Sequence, residues 1–186
     1  MSFLDQPSPS EDAQPPTRVL LLTGTCGSGK TTVAALLAER HGWVHVSEDD
    51  IWLRLFGKDR GAFGSEEHRE KRRQVHEVAF ARIREALAAG AAVVVDATVH
   101  EAPPEALHEY RGWFASHGVA WAIRVLHPRL EVAVARDAHR RAWTVGAQRV
   151  AELREKFTGA EIGRECFLDT SDDTPEETLA RLLAAW

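Results

Sequence analysis

The consecutive residues Gly24-Thr25-Cys26-Gly27-Ser28-Gly29-Lys30-Thr31-Thr32 carry the pattern G-x-x-x-x-G-K-[ST]. That pattern suits one chemistry, the gripping of a polyphosphate. Several backbone N–H groups must point at one spot, and only a tight loop with little side-chain bulk lets the backbone come close. Gly24, Gly27 and Gly29 supply room and freedom in φ. Cys26, Ser28 and Thr32 complete the expected nucleotide-binding set. Lys30 adds a compact positive charge for the β- and γ-phosphates, and the Thr31 hydroxyl is placed to ligate Mg²⁺.

Other residues could join it. Asp49 and Asp50 follow an apolar run in what reads as a loop, and phosphoryl transfer to an alcohol gains from a carboxylate beside the attacking hydroxyl. Asp49 is preferred, and capping of a short helix beginning at Ile51 is the competing role. Asp96 ends an all-apolar stretch, where a carboxylate needs a partner. It is expected to hold a Mg²⁺-bound water beside Thr31, to orient an arginine, or to cap the following loop. Arg129, Arg136 and Arg140 fall at i, i+7 and i+11 and should share one helical face, with Arg136 and Arg140 reaching phosphate oxygens. The run His68–Arg73 reads as a solvated, partly self-neutralised helix face, with a basic rim for an anionic acceptor as the alternative.

Five apolar runs must position these groups. Arg18–Thr23, Trp43–Val46, Ala91–Asp96, Val119–Leu126 and Glu165–Asp169 read as strands, and helical patterns fill the intervals. The first helix follows the glycine loop as far as Arg40. A long one runs from about Glu66 to Ala89, another from Pro104 to Ser116, one begins at Pro128, and one spans Gln148–Phe157. Thr174-Pro175-Glu176-Glu177 has a capping box with proline at the first helical position and opens a terminal helix. Strand–helix alternation of this kind predicts an α/β fold with a parallel sheet of about five strands, covered by helices on both faces. In such sheets ligands sit at the carboxyl ends of strands, where the glycine loop, Asp49 and Asp96 all fall.

The chain of 186 residues is long enough for one domain with ample core, assigned to residues 18–186 behind a disordered tail at 1–17. Its net charge of −5 argues against a protein that coats nucleic acid non-specifically. Two cysteines far apart and no zinc spacing suit a reducing, cytoplasmic setting. No stretch is long enough to span a membrane.

With these residues assembled, the chain resembles the P-loop kinases of small molecules and nucleic-acid ends, among them the gluconokinase and shikimate-kinase types, chloramphenicol phosphotransferase and phage polynucleotide 5′-kinase. The resemblance covers about Arg18–Trp186 and implies a three-layer P-loop NTPase fold with a small lid at about 136–147. Ser47-Glu48-Asp49-Asp50 is similar to the family's acidic strand end, and Val95-Asp96-Ala97-Thr98 to its third-strand segment. Arg136 and Arg140 match its lid arginines, and Leu168–Ser171 resembles the segment near which adenine is held. The resemblance thus implies Mg·ATP as donor, with Lys30, Asp49, Arg136 and Arg140 as catalytic groups. Thr31 and Asp96 (the latter through water) would be the metal ligands. A small hydroxyl-bearing acceptor is expected, with a polynucleotide 5′-end or a nucleotide-dependent switch without acceptor as alternatives. Two departures are Trp52, where polynucleotide kinases place an arginine, and Val99, where several relatives place an asparagine.

Overall fold

The structure, a computed structural model, describes residues 18–186 apart from 60, 63, 100–104, 141–143, 159–161 and 185. The expected tail, Arg60, Pro104, Arg141 and Trp143 lie outside the described residues.

The strands are β1 (Val19–Gly24), β2 (Val44–Ser47), β3 (Val93–Asp96), β4 (Trp121–Leu126) and β5 (Phe167–Leu168). They form a five-stranded sheet in the order β2-β3-β1-β4-β5 with every pairing parallel. The helices are α1 (Lys30–His41), α2 (Glu48–Phe56), α3 (Glu66–Ala88), α4 (Glu105–Ser116), α5 (Leu130–Ala138), α6 (Ala147–Thr158) and α7 (Pro175–Ala184). Side chains alternate across the central strand, so its two faces feed two cores. Val19 and Leu21 pack with Ile83 of α3 and with Leu107 and Phe114 of α4. Leu20 and Leu22 pack with Val33 and Leu37 of α1 and Leu179 and Leu182 of α7. The expected α/β sheet with helices on both faces is therefore the observed one. No described helix is long and apolar enough to cross a membrane.

Local chemistry sets the helix starts. At α7 the capping box forms in full: the Glu177 N–H donates to Thr174 Oγ1 at 3.2 Å, and the Thr174 N–H donates to Glu177 Oε2 at 2.8 Å. At α2, Ser47 Oγ accepts from the Asp50 N–H at 3.2 Å, so Ser47 is the cap. This corrects two expectations. Asp49 and Asp50 stand in the first turn of α2 rather than in a loop, where the helix dipole favours their charge, and neither caps a segment beginning at Ile51.

The arginine helix is also shorter than expected. It begins at Leu130 with Arg129 as N-cap and ends before His139, so of Arg129, Arg136 and Arg140 only Arg136 lies within α5. The three do not share a helical face. The segment read as a fifth strand over Glu165–Asp169 begins with a 3-10 turn at Arg164–Cys166, leaving a strand of two residues.

Candidate active site

Parallel registry fixes the site. Asp96 lies opposite both Leu22 of β1 and Ser47 of β2, so the carboxyl ends of three adjacent strands share one edge. The glycine loop leaves β1 there and runs directly into α1, whose N-terminus faces the same edge. Beyond β3 the chain is tied back to β1: Thr23 Oγ1 donates to the Val99 carbonyl at 3.1 Å and accepts from the Val99 N–H at 3.0 Å. Position 99 is thus anchored by its backbone, and its buried valine side chain joins the core.

The loop fits a polyphosphate on its own geometry. Gly27 has φ +75°, and a Cβ there would stand 2.0 Å from the Ala133 carbonyl of α5. Only glycine permits that contact. Thr25 is buried and donates from Oγ1 to the Val150 carbonyl of α6 at 3.1 Å, which fixes the loop to the far wall of the site. Ser28 Oγ is buried without a hydrogen-bond partner, a polar atom left over inside the cradle. Lys30 is buried too, and its Nζ donates to the Gly24 and Thr25 carbonyls at 3.0 and 3.1 Å, which curls it over the loop. Thr31 is exposed at the mouth, and its hydroxyl helps to hold the Asp96 carboxyl in its ionised form.

Asp96 is 4% exposed. Burial alone would push its carboxyl pKa up, but His45, the Lys30 charge and the Thr31 hydroxyl together draw it below the usual carboxylate range. His45 Nε2 stands 3.7 Å away, an ion-pair distance rather than a hydrogen bond. An ionised oxygen ligand beside a threonine hydroxyl at a phosphate loop suits a hard divalent cation such as Mg²⁺.

Two cavities open on this edge. The smaller, about 280 Å³, is lined by the loop from Gly27 through Val33 and by Arg136, Arg140 and Thr178. The larger, about 530 Å³, lies among α2, α3 and α6. Lys30, Asp49 and Thr98 line both. Asp49 therefore stands on the partition, whereas Asp50 is exposed and lines neither. Cys26, expected with the phosphate-binding set, lines the larger cavity.

The arginines divide in the same way. Arg136 donates to the Thr170 and Asp173 carbonyls at 3.1 and 3.4 Å, which ties α5 to the segment before α7. Arg140 donates to Asp49 at 3.2 Å. Arg129 instead makes a two-pronged pair with Asp172 at 2.9 and 2.7 Å. Asp137, which the sequence did not single out, is buried and accepts from the Val145 and Gly146 N–H groups at 2.9 and 3.2 Å, pinning the segment after α5.

Several further residues escaped the sequence reading. Glu48 lines the larger cavity and belongs to a buried cluster: it accepts from the Tyr110 hydroxyl at 2.8 Å and stands 3.0 Å from His76 Nε2. His76 Nδ1 bonds Glu109 on its other side. Burial opposes charge on that ring, yet the two carboxylates outweigh it and push the His76 pKa up to about 9. Arg149 and Lys156 also line the cavity, and their spacing with Leu153 on α6 was the available signal. Arg69 and Arg72 of the run read as a solvated face line it as well. Trp52 and Trp113 are engaged in packing: Trp52 donates from Nε1 to the Asp59 carbonyl at 3.1 Å, and Trp113 stacks on Phe80 at 4.9 Å.

A protein-family model described as an AAA domain matches residues 19–160. A comparison with curated proteins finds no match. Among solved structures, the chain is similar to a sugar kinase from Janibacter sp. HTCC2649, with TM-score 0.65 and 19% identity over 91% of this chain and 94% of that one. It is similar to shikimate kinase from Acinetobacter baumannii in complex with shikimate, with TM-score 0.63 and 19% identity over 91% and 93%. The Pnkp1/Rnl/Hen1 RNA repair complex contains a chain similar over 82% of this one and 47% of its own length, with TM-score 0.64 and 20% identity. At these identities the likeness is one of fold.

Proposed function

The chain belongs to the AAA-domain family whose model spans residues 19–160, and from that premise we propose that it is a kinase moving the γ-phosphoryl group of Mg·ATP to a hydroxyl of a small acceptor. The observation that carries this reading is the place of Asp49 on the wall shared by the two cavities. A donor phosphate in the smaller cavity and an alcohol in the larger one would meet beside that carboxylate.

The amides of Gly24–Thr32 and the Lys30 ammonium hold the β- and γ-phosphates, with Lys30 exchanging its loop carbonyls for phosphate oxygens. Thr31 and, through water, Asp96 would hold Mg²⁺, which when bound would offset the negative charge of the donor phosphates. The acceptor oxygen attacks the γ-phosphorus, and the bond from phosphorus to the β–γ bridging oxygen breaks with its electron pair remaining on ADP. Asp49 orients the hydroxyl and takes its proton late in the transfer. Arg136 and Arg140 line the donor cavity and stabilise the charge that develops there. The free Cys26 and Cys166 suit a reducing cytoplasm.

A polynucleotide 5′-hydroxyl kinase is the same chemistry on another acceptor, and the likeness to a chain of the RNA repair complex favours keeping it as the second reading. Two measurements test the proposal. Calorimetry should register Mg·ATP binding, and a panel of hydroxyl-bearing metabolites, antibiotics and 5′-hydroxyl oligonucleotides should include a compound that stimulates ADP release. Binding of Mg·ATP with slow hydrolysis that no acceptor stimulates would replace the kinase with a nucleotide-dependent switch.

A further inference from the structure

One charged group of the larger cavity has no part in the phosphate chemistry. Glu48 lines that space from the first turn of α2, where Trp52, Val75, Ala97 and Ala106 give an apolar lining. Its carboxylate is held at one oxygen. Glu48 Oε1 accepts from the Tyr110 hydroxyl of α4 at 2.8 Å and stands 3.0 Å from His76 Nε2 of α3. His76 and Tyr110 are both buried, and Nδ1 of the ring bonds Glu109. Carboxylates on its two sides keep the imidazole charged at neutral pH.

Both contacts fall on the same oxygen. Among the described residues nothing bonds Oε2, and the Glu48 side chain keeps 17% of its exposure. An ionised carboxylate accepts at both oxygens, so the second is left to whatever enters the cavity. Joining α2, α3 and α4 does not require this arrangement. Apolar side chains would hold the three helices together with no charge to desolvate. Much of the surrounding packing is already of that kind, with Ile51 of α2, Val75 and Ala79 of α3 and Leu107 of α4 in one core. An ionised oxygen set in an apolar lining, fixed by a buried hydroxyl and a buried cation, orients a ligand.

We infer that Glu48 is a specificity-determining residue of the larger cavity: its Oε2 takes a hydrogen bond from an O–H or N–H of the occupant, on a group beside the one that reaches Asp49. Glu48 and Asp49 are consecutive and lie roughly 100° apart around α2. Both line the cavity, so the two ligand groups they meet are neighbours on one molecule. The role of Glu48 stands on the cavity and on the side chains that hold it. That the neighbouring group is the reacting hydroxyl rests on the kinase reading.

The surroundings of Oε1 dictate the variant. In Glu48→Gln the amide must keep its oxygen toward the Tyr110 hydroxyl and the charged ring, which turns its NH₂ to the cavity. A donor then stands where an acceptor stood. Three probes of nearly one size are trans-cyclohexane-1,2-diol, trans-2-aminocyclohexanol and trans-2-methoxycyclohexanol. They share one hydroxyl and differ in whether its neighbour can donate. Each is titrated into the intact protein saturated with Mg·ADP and followed by ligand-detected NMR. The parent should bind the diol or the amino alcohol roughly tenfold or more tightly than the ether, the scale of one charge-assisted hydrogen bond. The tighter of the two tells whether the site takes a hydroxyl or an ammonium. Glu48→Gln should erase or reverse the preference, whereas Tyr110→Phe, which disturbs the same cluster but leaves the carboxylate, should keep it. Equal binding of all three probes, or no saturable binding of the diol or the amino alcohol, overturns the inference. So does a preference unchanged in Glu48→Gln, or one lost equally in both variants, which would leave the cluster a tie between helices. Failure of Mg·ADP to bind, with the preference intact in the free protein, would remove the kinase reading and leave the role of Glu48 standing. Acceptor-stimulated ADP release without any such preference would do the reverse.

Discussion

The Arg140 guanidinium stands 3.2 Å from Asp49 Oδ2, joining the segment after α5 to the first turn of α2 across the mouth of the phosphate loop. The two side chains come from positions 91 residues apart and are 25% and 39% exposed, so the pair is reachable from solvent. Each has a reason to let go. A phosphate entering the smaller cavity would offer Arg140 a stronger anion, and a hydroxyl beside Asp49 would offer that carboxylate a donor in its place.

Asp49→Asn should keep Mg·ATP binding and lose phosphoryl transfer by roughly two to four orders of magnitude, the usual span for a positioned acid–base group. Single-turnover ADP release alongside calorimetry separates the two effects. Transfer at the parental rate would demote Asp49 to an ion-pair partner of Arg140.

Lys30→Ala should lower turnover by at least about a hundredfold, the scale of losing one transition-state donor. Because Lys30 also bonds the Gly24 and Thr25 carbonyls at 3.0 and 3.1 Å, the variant should loosen the loop as well. Steady-state kinetics on purified Lys30→Ala protein decides it, and parental activity would remove the lysine from the mechanism.

Two glycines of the same loop should respond differently to alanine. A Cβ on Gly27 meets the Ala133 carbonyl at 2.0 Å, whereas one on Gly29 meets nothing within 4 Å. Both have positive φ, which costs an alanine on the order of 1–2 kcal/mol. Gly27→Ala adds a steric cost of about 1–3 kcal/mol or displaces α5. Urea unfolding of the two variants should rank Gly27→Ala as clearly the less stable, and equal midpoints would contradict the packing described.

The buried histidine sets an alkaline limit. His76 has its pKa raised from 6.5 to about 9, so its contribution to stability is complete below about 6.5 and is lost as pH rises through about 9. The loss should be on the order of a few kcal/mol, given near-complete burial. Thermal unfolding at pH 6 and pH 9.5 should show a fall that His76→Gln largely abolishes. An equal fall in the variant would assign it to other groups.

Some of this protein is written locally. The strand, the glycine loop and the helix are contiguous, and the bonds that curl Lys30 over the loop reach back only to the Gly24 and Thr25 carbonyls. The capping box at Thr174–Glu177 is of the same kind, since its donors and acceptors lie three residues apart. Local reading failed where neighbours competed. Ser47 starts α2 early enough to draw Asp49 into a helix. The chain leaves helix at His139, which separates Arg140 from Arg136.

The sequence by itself therefore determined the α/β alternation, the phosphate loop and the short list of acids and arginines near it, because each depends on side-chain period or on contacts within a turn. Only the tertiary structure decided that Asp49 meets Arg140, that Glu48 rests on His76, and that cations of α3 and α6 face one cavity. Those relationships depend on the strand order β2-β3-β1-β4-β5 and on helices packed across it. Long-range packing, which no local periodicity records, brings these groups together.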